Sequence, residues 1–142
     1  MKGKNRKPSI TRRSSRERAV QILFSLDFND VDSLPEYLKV YQEEIYKSLP
    51  KDDYLLKSLN GVLRNLDEID LMIDNTIEFS VKSLGKVVLS VLRLAVYEMK
   101  IAGEIHDKIA ISEAIAIVKL YGSSEDIKFI NGVLDSISLN ED

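Results

Sequence analysis

The sequence predicts an all-α protein, and three observations carry that reading. Apolar residues recur at three- and four-residue spacing almost throughout, no stretch alternates apolar and polar residues between hairpin turn signals, and capping residues precede most of the apolar runs. About seven helices follow. Thr11 or Ser9 starts the first, whose apolar positions Ala19, Leu23 and Leu26, with Val20 and Phe24 beside them, run to Asn29 and Asp30. Ser33-Leu34-Pro35-Glu36 satisfies the capping box of a second helix with Pro in its first turn; Leu34, Leu38, Tyr41 and Ile45 form its stripe and Pro50 closes it.

Asp52 or Asp53 caps a third helix carrying Leu55, Leu59, Val62, Leu63 and Leu66. The period continues through Ile69, Ile73 and Ile77 as a fourth, with a break near Asn65–Asp67. From Leu84 to Met99 apolar residues cover most of the circumference: Leu84, Val88, Val91, Leu92, Ala95 and Met99 make one stripe, and Val87, Leu89, Leu94 and Val96 occupy the other sides. Such a helix belongs in the middle of the fold, and Gly103 ends it. Ile111, Ala114, Ile115 and Val118 define a sixth helix stopping near Gly122. Ser123 or Ser124 caps the seventh, with Ile130, Val133, Leu134 and Ile137 inward.

At 142 residues the chain suits one domain. With no cysteine it has no disulfide, thiolate metal site or cysteine nucleophile, and its one histidine, His106, leaves no multi-histidine metal site. Neither a cofactor nor a metal is expected. Acidic pairs such as Asp52-Asp53, Asp67-Asp70 and Glu125-Asp126 sit where helix N-termini want acid, and the scattered glycines form no phosphate loop. No run of 18 apolar residues exists and no apolar stretch follows the N-terminal cations, so the expected location is cytoplasmic, without membrane contact.

The net charge of −3 conceals a segregation. Residues 1–18 hold eight cations against Glu17, a net of +7, and the remainder is −10. Residues 1–10 read as a flexible basic arm on an acidic helical domain spanning 11–142. Arg12, Arg13 and Arg16, three and four apart, can share one patch at the start of the first helix. Cations there oppose the helix macrodipole at a cost of a few tenths to about 1 kcal/mol, whereas a phosphate would be favoured by the guanidinium groups and the free N–H groups alike. The patch therefore reads as a polyanion-binding candidate; the alternative is a solvated tail. In the presumed loop 119–129, Tyr121 and Phe129 beside Lys128 offer ring faces for unstacked bases, or else are core aromatics.

Two C-terminal blocks carry a resemblance. Val91-Leu92-Arg93-Leu94-Ala95-Val96-Tyr97-Glu98-Met99 resembles the central helix of the NusB family of bacterial transcription antitermination factors. Ile109-Ala110-Ile111-Ser112-Glu113-Ala114-Ile115, with Lys119-Leu120-Tyr121-Gly122 and Lys128-Phe129-Ile130-Asn131-Gly132-Val133-Leu134-Asp135, resembles the family's C-terminal signature. Arg12-Arg13-Ser14-Ser15-Arg16-Glu17-Arg18-Ala19-Val20-Gln21 resembles its arginine-rich start.

The resemblance implies two packed helical subdomains, about 11–66 and 67–142. It implies a non-enzymatic factor that binds boxA-type single-stranded RNA together with ribosomal protein NusE and acts with the transcription elongation complex on ribosomal RNA operons. By position, Arg12, Arg13 and Arg16 match RNA-binding arginines, Tyr121 and Phe129 aromatic positions near RNA, Lys128 the loop cation and Glu125 an acidic position influencing activity. Three departures stand out: Ser112 replaces the usual Asn, His106 the usual Pro, and Asp126-Ile127 a usual Ser and small or polar residue. The alternatives are a protein-interaction module without specific RNA binding and a detached domain of an RNA methyltransferase. A homodimer is left open.

Overall fold

The computed structural model describes residues 11–26, 43 and 52–140. Apart from Glu43, which is helical, the expected second helix lies outside the described residues, as do residues 1–10. The other six expected helices are all found, and no strand occurs among the described residues.

Helix α1 spans Arg12–Ser25. Thr11 caps it reciprocally: its Oγ1 accepts from the Ser14 N–H at 3.0 Å and its own N–H donates to Ser14 Oγ at 3.0 Å. The helix ends earlier than Asn29–Asp30, because Leu26 turns extended (φ −79°, ψ 143°) and buries its side chain in the core. Asp52 caps α2, Asp53–Arg64, by accepting from the Leu55 N–H at 3.0 Å, and it also receives the Ser15 hydroxyl of α1. That shared acid ties the starts of α1 and α2 together. The break predicted near Asn65–Asp67 falls at Asn65, after which α3 runs Leu66–Asp74. A short 3-10 turn, Val81–Ser83, leads into the central helix.

Helix α4, Lys86–Val96, runs without interruption into a π-helical segment, Tyr97–Ala102, ended by Gly103 at φ +59°. Around it pack α1, α3, and the two C-terminal helices α5 (Asp107–Tyr121) and α6 (Ser124–Leu139). Burial of Val91, Leu92, Leu94, Ala95 and Val96 bears out its central position. Spacing did not reveal the π segment. Its hydrogen bonds span one residue more than those of an α-helix, as where the Gly103 N–H donates to Glu98 O, and it carries Glu98 into the interior. Gly61 of α2 lies against the Tyr97 ring, where an added Cβ would stand 2.1 Å from a ring carbon. Only a hydrogen lets α2 approach the π segment this closely.

The charged turn before α5 resolves one departure from the family pattern. His106 is the cap residue itself, its Nδ1 accepting from the Lys108 N–H at 3.1 Å. Within α5, Ile117 is fully buried where spacing favoured Ile115, which is only partly buried. The presumed loop 119–129 is not a loop but two helix ends joined at Gly122-Ser123. Ser123 and Asp126 form the second capping box, which consumes the extra carboxylate, and Ile127 turns inward against the core. Gly122 is needed for space, since a Cβ there would meet Val118 at 2.9 Å and Asp126 at 3.0 Å.

Candidate nucleic-acid interface

Helices α1 and α5 run parallel, bridged by long side chains. Two cross-links show it: Arg13 bonds Glu113, and the Gln21 amide donates to the Tyr121 hydroxyl at 3.1 Å, each pair separated by 100 residues. Eight residues of helix separate the two links, about 12 Å along the axis. One seam therefore carries an arginine end and an aromatic end.

At the arginine end the three cations take different roles. Arg16 is buried, its Nε donating to both oxygens of Glu98 at 3.1 and 2.8 Å, with Nη1 3.6 Å from Glu113. Arg13 is 56% exposed and makes a two-pronged bond to Glu113 at 3.0 and 2.9 Å. Arg12 lies over the Tyr54 ring, 4.2 Å from its centroid, and makes no ion pair among the described residues. The Tyr54 hydroxyl donates to Glu98, and Arg16 also approaches its ring, at 5.6 Å. The expected single patch is thus one buried structural cation beneath two outward ones. Arg16 left the surface because it shares the inward face of α1 with Ala19 and Val20, where Glu98 of the π segment meets it.

Protonation follows from these contacts. The Arg13 bond holds the Glu113 carboxyl below the ordinary glutamate range, and Glu113 in turn raises Arg13. Burial, then the Glu98 carboxylate, pushes the Tyr54 phenol up to about 12. Beside these residues opens a cleft of about 720 Å³ lined by Arg12, Tyr54, Lys57, Asp53, Glu98 and Glu104. Lys57 and Glu104 pair across it at 2.7 Å, so its charges are largely balanced internally.

At the other end, Tyr121 is exposed and held by Gln21, and Glu125 and Lys128 are exposed on the first turns of α6. Phe129 is half-buried against the core and stacks on Phe79, with centroids 6.1 Å apart and planes inclined by 18°. Lys128 makes no ion pair among the described residues. Phe24, grouped by spacing with the apolar set, is 46% exposed one turn beyond Gln21. The structure therefore unites Arg12, Arg13 and Arg16 at one end of the seam, sets Tyr121 at the other, and carries Glu125, Lys128 and Phe129 on the helix that follows. Sequence reasoning missed Glu113, Glu98, Tyr54, Gln21 and Phe79. All five act through partners distant in sequence; only the polar Gln21 inside an apolar run was a local signal.

No helix among the described residues is long and apolar enough to cross a membrane, and no cluster of potential metal ligands occurs there. Compared with known proteins, the chain matches the NusB family over residues 13–139. The chain belongs to the NusB family. It is 38% identical over 130 residues to the transcription antitermination protein NusB of Listeria monocytogenes serotype 4a (strain HCC23), covering 91% of this chain and 97% of that protein. To the NusB of Levilactobacillus brevis it is 35% identical over 131 residues, covering 89% and 91%. Among solved structures it is similar to NusB in a crystal structure of antitermination factors NusB and NusE with dsRNA, at 28% identity and a TM-score of 0.75, covering 89% of this chain and 95% of that one. It is also similar to T. maritima NusB, at 29% identity and a TM-score of 0.72, covering 92% of each. The NusB resemblance of the arginine-rich start and the C-terminal blocks thus extends to the whole fold.

Proposed function

We propose that this NusB-family chain is a non-catalytic, RNA-binding transcription antitermination factor that holds boxA-type single-stranded RNA together with ribosomal protein NusE. In this reading it acts in the cytoplasm with the transcription elongation complex on ribosomal RNA operons. The observation that carries it is the α1–α5 seam, with outward arginines at one end and an exposed, hydrogen-bonded tyrosine at the other. The relatives' name as antitermination proteins supports the antitermination role, and a solved assembly of NusB and NusE with dsRNA supports the RNA and NusE partners. Arg12 and Arg13 contact phosphates; Arg16 fixes the helix that presents them. Tyr121 and Phe129 offer ring faces, Lys128 a phosphate contact, and Glu125 an acidic limit to the track. Residues 1–10 add phosphate contacts as a basic arm, and the subdomain division falls near residue 66.

Fluorescence anisotropy with a labelled boxA-type strand, a scrambled strand and an RNA duplex, with and without NusE, tests this. Expected is a preference for the boxA-type strand that sharpens with NusE. Log affinity should fall with log salt at a slope of roughly −2 to −3.5, for about three to five phosphates neutralised. Replacing Arg12 and Arg13 together by Ala should flatten that slope by about 0.7 for each phosphate no longer neutralised, with only the small loss of melting temperature expected of exposed contacts. Equal binding to all three RNAs overturns the sequence-specific part. No binding to any of them, with or without NusE, overturns the RNA reading and leaves a protein-interaction module.

A further inference from the structure

Phe79, in the turn after α3, is 51% exposed although it is one of only four phenylalanines in the chain. A large apolar ring left half in water forgoes a stabilisation that burial would bring. Its ring neighbour among the described residues is Phe129, and the small interplanar angle leaves the two faces aligned in the same direction. Together they wall a groove of about 390 Å³ between the turn and α6, completed by Thr76, Lys128, Gly132 and Ser136. That volume lies toward the small end of the roughly 300–1,000 Å³ range of small-molecule sites. At Gly132 a Cβ would meet nothing within 4 Å, so the floor of the groove is open.

The charge of the lining restricts what fits. Lys128 brings one cation and Glu78 one anion, so the groove offers a phosphate little net attraction. The Thr76 hydroxyl donates to Met72 O and keeps its lone pairs for an incoming donor. Flat apolar walls, a neutral balance and scattered donors and acceptors suit a neutral heteroaromatic ring with polar edges.

We propose that the Phe79–Phe129 groove receives one unstacked nucleobase of the bound RNA, with Phe79 supplying a stacking face and Lys128 contacting the adjoining phosphate from the rim. This rests on the RNA-binding reading above and adds a residue and a subsite to it. Phe79 holds a base and no phosphate, so its ring contributes affinity without contributing to the salt dependence.

The test uses the full chain and the boxA-type strand, with Phe79→Leu and Phe79→Trp variants. Loss of one stacked base corresponds to about 5- to 150-fold weaker binding, the equivalent of roughly 1–3 kcal/mol. Phe79→Leu should weaken binding within that range and leave the salt slope unchanged. A scan of single abasic positions should find one whose penalty disappears in Phe79→Leu, the coupling expected of a direct contact. The chain has no tryptophan, so Phe79→Trp reports alone; it should bind like the parent, with emission quenched by RNA. Wild-type affinity in Phe79→Leu, while the Arg12/Arg13 variant weakens, overturns the subsite and leaves the RNA reading standing. Unquenched emission at saturating RNA overturns it equally. Loss of NusE binding with RNA affinity intact overturns it in favour of a protein-facing groove. Failure of the parent chain to bind RNA overturns the underlying reading instead.

Discussion

The two ends of the α1–α5 seam are built on opposite plans. At the arginine end Arg16 is sealed in, with only 6% of its side chain exposed, and both its acidic partners come from other elements. At the aromatic end Tyr121 is exposed and one hydrogen bond ties it to α1. One end is preorganised, and its ordering cost is met when the chain folds; the other is left to adapt when a ligand arrives. Buried ion pairs suit the first task because their geometry is restrictive, and exposed rings suit the second because stacking tolerates small displacements.

The largest effect should come from breaking the sealed end. Arg16→Ala leaves Glu98 buried without its cation, and removing one partner of a buried pair typically costs about 3–5 kcal/mol. That is a large part of the roughly 5–15 kcal/mol that holds a domain together. Arg13→Ala, at a 56% exposed side chain, should be far milder, as expected for a solvent-screened pair. Chemical denaturation of both variants checks the contrast, and equal losses would erase it.

A smaller effect sharpens the comparison at Glu113. Its carboxyl is held below the usual range by Arg13, so the folded state gains stability above the ordinary glutamate value near 4.5 and loses it as pH falls through the lower folded value. Glu113→Gln should flatten stability against pH in that acid window. The same substitution frees Arg13 and removes a carboxylate beside the proposed phosphate contacts, so RNA affinity should rise a few-fold at low salt. A fall in affinity would instead assign Glu113 the work of aiming Arg13.

The smallest effect lies at high pH. Tyr54 ionises near 12 instead of 10, so its contribution to stability is complete below pH 10 and lost as pH rises through about 12. Phe at this position should remove that slope, and ultraviolet titration should find late-ionising phenols in the parent, Tyr54 and the buried Tyr97, with one of them missing from Tyr54→Phe. A phenol that titrates normally would place Tyr54 outside the Glu98 network.

The helices were legible because their signals are local. Thr11, Asp52 and Ser123 each cap the helix their spacing predicts, and the dense apolar run from Leu84 to Met99 announces the centre. The π segment was not, because the apolar spacing through Tyr97 and Met99 fits an ordinary helix equally well. Arg16 is the instructive case. It stands three, four and seven residues before Ala19, Val20 and Leu23, on the same inward stripe, yet its charge drew attention to the neighbouring arginines instead. Glu113 and Phe79 had no signal at all, since their meaning comes from partners brought close only by folding.

The 100-residue separation across the seam also orders events in time. At about 5–20 residues per second, Glu113 and Tyr121 are made roughly 5–20 s after the α1 residues they grip. During that interval α1 can pair with α2, whose cap it shares through Ser15 and Asp52, but not with α5. A growing chain thus carries its arginines long before it carries the surface that aims them, and the α1–α5 seam is among the last features that synthesis completes.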